Sequence, residues 1–143
     1  MSIKDLATVL PEKYIDKIAK DNIKLIDFEY LSKHRKLSEK FIEKYKDYFD
    51  WDLISCYQSL SEQFIEKHKD KVDWYYISMY QKLSEPFIEK YKDRVNWKYI
   101  SIYQKLSEPF IEKFKDRVDW DLIFKKQRLS DSFIKKHKDK IRR

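Results

Sequence analysis

Few side chains in this chain are of a type and spacing that could do chemistry. Three histidines (His34, His68, His137), one cysteine (Cys56) and recurring glutamate pairs such as Glu85/Glu89 and Glu108/Glu112 are the groups that could ligate a metal, attack a substrate or move a proton. A zinc site needs three or four convergent ligands. The histidines are instead scattered among aromatic positions of a repeated sequence. His34 stands where other copies have Tyr57, Tyr80 and Tyr103, while His68 and His137 alternate with Tyr45, Tyr91 and Phe114. A histidine that trades with Tyr and Phe is there for its ring. Cys56 alternates with Lys33, Met79, Ile102 and Lys125, so nothing marks it as an activated thiolate. The glutamate pairs lie one helical turn apart beside lysines and read as a solvated face rather than an acid/base dyad. Catalytic residues, metal ligands and cofactors are therefore not expected. The absence of glycine removes Gly-rich phosphate loops and nucleophile elbows as well.

The repeat that scatters these residues positions everything else. Residues 27–49, 50–72, 73–95, 96–118 and 119–141 are five gapless copies of a 23-residue unit, for example DWYYISMYQKLSEPFIEKYKDRV. Residues 1–26 hold a degenerate copy, in which Leu10-Pro-Glu-Lys-Tyr-Ile mirrors Leu37-Ser-Glu-Lys-Phe-Ile, and this reads as an N-terminal cap. Position 1 of the unit is Asp or Asn and position 12 is Ser. Both types accept hydrogen bonds from the orphan N–H groups of a helix start. Helix A is expected over positions 2 to 9 (74–81 in the third copy) and helix B over positions 13 to 21 (85–93). Pro86 and Pro109 fall in the first turn of helix B, where a missing N–H costs nothing.

Helices this short are not stable alone. On helix A the stripe is positions 2, 5, 6 and 9, mostly Trp, Ile, Ser and Gln. On helix B it is positions 15, 16, 19 and 23, mostly Phe, Ile, an aromatic and Val. Trp51, Trp74, Trp97 and Trp120 are expected as core anchors. The recurring Ser is expected to let helices approach, and the recurring Gln to satisfy carbonyls left open where helix A ends. Stacked copies would bury a continuous core, so the expected fold is an all-α solenoid of helix-turn-helix repeats, a single domain over 1–143.

The pattern D-W-x-x-I-S-x-Y-Q-x-L-S-E-x-F-I-E-K-y-K-D-x-V, as it stands from Asp50 to Val118, resembles short helical repeats of unknown function in proteins of large DNA viruses and phages with AT-rich genomes. The resemblance implies an α-helical repeat protein and attaches no activity to it.

Positions that vary among copies are those that packing does not dictate. On helix A these are 3, 4, 7 and 8, which form one outer face. In the middle copies it carries Leu53, Cys56, Tyr57, Tyr75, Tyr76, Met79, Tyr80, Tyr99, Ile102 and Tyr103. Tyr and Met are types that interfaces favour. The leading expectation is a non-enzymatic scaffold that presents this face to a protein partner. A blander one is that positions 4 and 8 pack on the next helix A and only 3 and 7 are free. The net charge of +7 is concentrated at the C-terminal end, with Lys125, Lys126, Arg128, Lys135, Lys136, Arg142 and Arg143, so nucleic-acid binding there is the alternative. The same end leaves Phe133, Ile134, His137 and Ile141 without a following copy, which suggests a weak homodimer. A lone cysteine and the lack of a long apolar run or signal-like N-terminus point to a soluble, intracellular protein of the cytoplasm, the host's if viral, with no membrane association.

Overall fold

The computed structural model describes residues 2–141. Arg142 and Arg143, expected within the basic cluster, lie outside the described residues. Among those described, every regular element is helical. The contacts group into two compact units, one ending at Val72 and the other beginning at Asp73. The first contains α1 (Ile3–Val9), α2 (Glu12–Asp21), a 3-10 turn (Ile23–Leu25), α3 (Phe28–His34), α4 (Glu39–Lys44), α5 (Trp51–Tyr57) and α6 (Glu62–Lys67). The second contains α7 (Trp74–Tyr80), α8 (Glu85–Lys90), α9 (Trp97–Tyr103), α10 (Glu108–Lys113), α11 (Trp120–Lys126), α12 (Asp131–Lys136) and a closing 3-10 turn (Lys138–Lys140). Equivalent helices stack on one another, α3 on α5 in the first unit and α7 on α9 on α11 in the second. The architecture is the expected helical-repeat α-solenoid. No described helix is long and apolar enough to cross a membrane.

The caps form as their residue types require. Asp27 accepts from the Tyr30 N–H at 2.9 Å, Asp73 from Tyr75 at 2.8 Å, and Asn96 from Tyr99 at 3.3 Å. Ser38, Ser61, Ser84, Ser107 and Ser130 each accept from the N–H three residues on. Both helices end earlier than expected. Helix A stops at position 8, and the glutamine at position 9 is extended (Gln104, φ −90°, ψ 142°) so that its side chain can turn to the neighbouring repeat. Helix B stops at position 18 rather than 21. No described residue has positive φ, so a glycine-type left-handed stop is not used. The chain instead leaves helix B through tight turns, with Lys92 N–H to Glu89 C=O at 3.3 Å and Arg94 N–H to Tyr91 C=O at 2.8 Å.

The core differs from the expectation in its anchors. Ile54, Ile77, Ile100 and Ile123 at position 5, and Ile42, Ile65, Ile88 and Ile111 at position 16, are completely enclosed. Full burial of one such side chain is worth about 1.5–3 kcal/mol. The four tryptophans are only half-buried. Each lies against helix B of its own repeat, as Trp97 does on Phe110 and Phe114 with ring centroids 6.4 and 5.0 Å apart. Its indole N–H needs a polar partner, which keeps the ring at the rim. The Nε1 atoms of Trp51, Trp97 and Trp120 donate to the C=O of the residue five before, Lys46, Lys92 and Lys115, in the turn that leaves the preceding helix B.

Repeats are joined within each unit by buried polar side chains. Gln104 accepts from the Leu83 N–H at 3.0 Å and donates through Nε2 to the carbonyls of Ser78 and Gln81 at 3.0 and 2.7 Å. Gln58 does the same to Leu37, Ser32 and Arg35, and Gln127 to Leu106, Ser101 and Gln104. The glutamine thus serves the end of helix A as expected, but of the preceding repeat rather than its own. The serine at position 6 does more than save space. Ser78 Oγ donates to Trp74 C=O at 2.7 Å and accepts from the Asn96 N–H at 2.9 Å, and Ser101 links Trp97 to Asp119 alike. Arg35 replaces glutamine in the first full copy and donates to the carbonyls of Thr8 and Leu10 in the N-terminal copy, at 2.8 and 2.9 Å.

Replacing Gln104 by Leu keeps the volume and strands one buried N–H and two carbonyls, each costing about 1–3 kcal/mol. Urea denaturation should therefore show Gln104→Leu destabilised by about 3 kcal/mol or more, and Tyr103→Ala by less than about 1 kcal/mol. Similar losses for the two would contradict this assignment.

Candidate partner-binding face

The outer face of helix A is built by the same residues that bury its inner face. Fixing Ile at position 5 and Ser at position 6 inward turns positions 3, 4, 7 and 8 outward, at about 100° per residue. In the second unit α7, α9 and α11 carry Tyr75, Tyr76, Met79 and Tyr80, then Lys98, Tyr99, Ile102 and Tyr103, then Asp121, Leu122, Lys125 and Lys126. The rings form a connected cluster. The hydroxyls of Tyr75 and Tyr99 share a hydrogen bond of 2.6 Å, with the rings edge-on and 4.6 Å apart, and this bond raises the Tyr75 pKa. Tyr76 stacks beside Tyr80 at 6.3 Å and Tyr99 beside Tyr103 at 6.1 Å. Tyr76, Tyr99, Met79 and Ile102 are half-buried. Tyr80 and Tyr103 keep 57% and 56% of their surface open. The blander expectation, in which position 8 packs and position 7 is free, is thereby reversed at position 8. In α7 and α9 the tyrosine there lies beside the position 4 ring one turn back on its own helix.

The first unit repeats the arrangement on a smaller scale. Tyr57 is exposed and Leu53 and Cys56 are half-buried. Burial pushes the Cys56 thiol pKa up, which leaves it a poor nucleophile. Lys33 at position 7 is held by Glu29 at 2.6 Å, and that bond raises its pKa. By contrast, Lys125, Lys126 and Arg128 are exposed and form no ion pair among the described residues. The basic cluster is divided: Lys135 and Lys136 stand on α12, where Lys136 is engaged by Glu112 at 3.1 Å.

Other candidate groups are absorbed by packing. His68 and His137 are buried, His68 tilted against Trp51 and His137 stacked on Trp120, with centroids 4.6 and 4.7 Å apart. Their Nε2 atoms meet Glu43 at 2.5 Å and Glu112 at 2.7 Å. His34 is exposed against Tyr30. The glutamates expected on a solvated face are instead half-buried links between repeats. Glu39 binds the Ser61 N–H and hydroxyl at 2.5 and 3.0 Å, Glu85 does the same to Ser107, and Glu89 holds Lys113 at 2.5 Å. In the N-terminal copy Asp16 bonds Lys44 and the Tyr45 hydroxyl. The sequence carried a signal for these links in the steady offset between Glu at position 17 and Lys with an aromatic or His at 18 and 19. Of the stripe expected to lie open in the last copy, Phe133 and His137 are buried under Trp120. Only Ile134 and Ile141 are exposed, Ile134 at 37% where Ile111 has none. No group of three His, Cys, Asp or Glu able to hold a metal occurs among the described residues.

Fold and site together define a helical-repeat protein with an aromatic, partly basic helix face. A scan against protein-family models, a search of curated proteins and a search of solved structures each find no match.

The inter-repeat carboxylates make stability depend on acid. The Lys67 ammonium, with His68 beside it, lowers the Glu43 pKa from 4.5 to about 2, and Lys136 lowers that of Glu112. A pKa depressed on folding adds stability above the unfolded value and loses it as pH falls through the folded one. Stability should therefore decline as pH falls from about 4.5 towards 2, and Glu43→Gln should be less stable than the parent at pH 7 by a margin that shrinks over that window. Urea midpoints at pH 7 and pH 2.5 measure this. A margin independent of pH would contradict it.

Proposed function

We propose that this protein is a non-enzymatic repeat scaffold that binds a protein partner through the helix A face of its middle repeats. The single observation that carries the reading is the exposure of Tyr57, Tyr80 and Tyr103, three large rings at the same repeat position, each more than half open. Packing does not account for them, since the core is closed by Ile and the repeats are joined by Gln, Ser and Glu. Around them Met79 and Ile102 add half-open apolar surface, the composition that interface cores favour. In the same reading the protein belongs with the helical-repeat proteins of large DNA viruses and phages and works in the cytoplasm of the infected host.

A second reading, nucleic-acid binding, is favoured by Lys125, Lys126 and Arg128, which form no ion pair among the described residues and stand on or just after α11, the helix that packs on the tyrosine-bearing α9. The two readings separate in one experiment. Immobilised protein is exposed to host lysate with and without nuclease, beside a Tyr80→Ser/Tyr103→Ser variant. The first reading expects a protein retained after nuclease and lost from the variant. Retention that disappears with nuclease, or is unchanged in the variant, contradicts it.

A further inference from the structure

We infer that the partner segment seated on the second unit's helix A face is an acidic peptide with interspersed apolar residues, its carboxylates reaching Lys125, Lys126 and Arg128. This rests on the protein-binding reading and adds the partner's chemistry. Charge on this face is graded. The outward positions of α7 carry no charged side chain, those of α9 carry Lys98, and those of α11 carry Lys125 and Lys126 against Asp121, while the turn after each of these helices carries one cation, Lys82, Lys105 and Arg128. Because α7 packs on α9 and α9 on α11, the gradient runs across consecutive helices of one unit.

Three cations of this unit are committed to neighbouring repeats, Lys113 to Glu89, Lys136 to Glu112 and Arg117 to Asp93, while others, Lys82, Lys98 and Lys105 among them, are exposed and form no ion pair among the described residues. Lys125, Lys126 and Arg128 have no such partner among the described residues. Two adjacent like charges at positions 7 and 8, where the other copies of this unit place Met79 and Tyr80 or Ile102 and Tyr103, repel each other and gain nothing from packing. Their electrostatic complement is an anion that approaches from outside.

A phosphodiester strand carries one charge per nucleotide along its whole length and is matched by cations spread along its track. Here each turn carries a single cation, and two adjacent cations on a helix occur on α11 alone of these three helices. The helix A positions of α7 and α9 offer Tyr rings and the half-open Met79 and Ile102, and these two apolar side chains suit Leu, Phe or Pro and give nothing to phosphate. The Tyr75 and Tyr99 hydroxyls are already bonded to each other. An extended acidic peptide with interspersed apolar residues supplies side chains for the rings and carboxylates for the cations.

The test is fluorescence anisotropy with the full chain and a labelled dodecapeptide of three Phe-Asp-Glu-Leu blocks. Its Asn/Gln counterpart and a dT12 oligonucleotide serve as comparisons. The inference expects the acidic peptide to bind, and its neutral counterpart to bind about tenfold more weakly, as a few exposed charge pairs would give. Lys125→Glu with Lys126→Glu should weaken the acidic peptide by at least about tenfold, a loss that grows at low salt. Equal binding of the two peptides, both lost in Tyr80→Ser/Tyr103→Ser, overturns the acidic partner and leaves the protein-binding face standing. Acidic-peptide binding that survives the tyrosine substitutions unchanged contradicts that face instead. Tighter binding of dT12, or no binding of the acidic peptide at low salt, also overturns the inference.

Discussion

A buried glutamine amide that reaches into the preceding repeat is the constraint on which the rest of this structure depends. A helix of seven residues leaves nearly as many backbone groups unpaired at its ends as it pairs inside. Stacking such helices would bury those groups at a cost that apolar contact alone does not offset. Gln58, Gln104 and Gln127 remove it by offering one acceptor and two donors to the N–H and two C=O groups that the preceding helix A leaves open. This requirement dictates that helix A end one residue before the glutamine, since the extended backbone there aims the side chain backwards. It also sets the register between repeats, because a shifted copy would bring the amide to no carbonyl.

Around that amide the remaining polar residues divide the work by position. Ser at position 6 ties the next repeat's entry to the first turn of helix A, Glu at position 13 ties the starts of successive helices B, and Glu at position 17 ties their ends. Positions 2, 15 and 19 form an aromatic stack inside each repeat. Once these are assigned, positions 3, 4, 7 and 8 of helix A have no structural duty in common, and there the copies diverge into Tyr, Met, Ile, Lys and His. The face proposed to bind a partner is thus what the packing leaves free. Its Tyr75–Tyr99 hydrogen bond presents the rings in a fixed arrangement, which lowers the ordering cost of an encounter.

Much of the fold was legible because its signals are local. Asp and Ser at the caps, Pro86 and Pro109 in first turns, and the spacing of Phe, Ile and Trp all act within one turn of helix, and the helices begin where those residues place them. The helix ends were less legible. Without glycine, nothing in the residues of positions 19 to 22 distinguishes a continued helix from the tight turns that form. Position 2 differs from the expectation because an indole ring counts as apolar in a periodicity, whereas its N–H seeks a backbone carbonyl at the rim. The Glu pairs looked like solvated surface because their partners lie 22 to 25 residues away, a separation invisible to helical periodicity and visible only as an offset between copies. The outer face of helix A was identified from variation among copies, but the reversal at position 8 needed three dimensions, since exposure there depends on how far apart the stacked helices stand.

Amide hydrogen exchange at Leu83 and Leu106 tests the central claim most directly. Both N–H groups lie in the turn after helix A, beside the exposed residues Lys82 and Lys105, and among the described residues their acceptors are the side chains of Gln104 and Gln127 in the next repeat. If the glutamine amides hold the repeats in register, these two protons open only when the repeats separate, and they exchange as slowly as the helical amide of Ile100. Exchange as fast as that of Lys82 and Lys105 would mean that the amides do not bind the repeats together, and the account would fail.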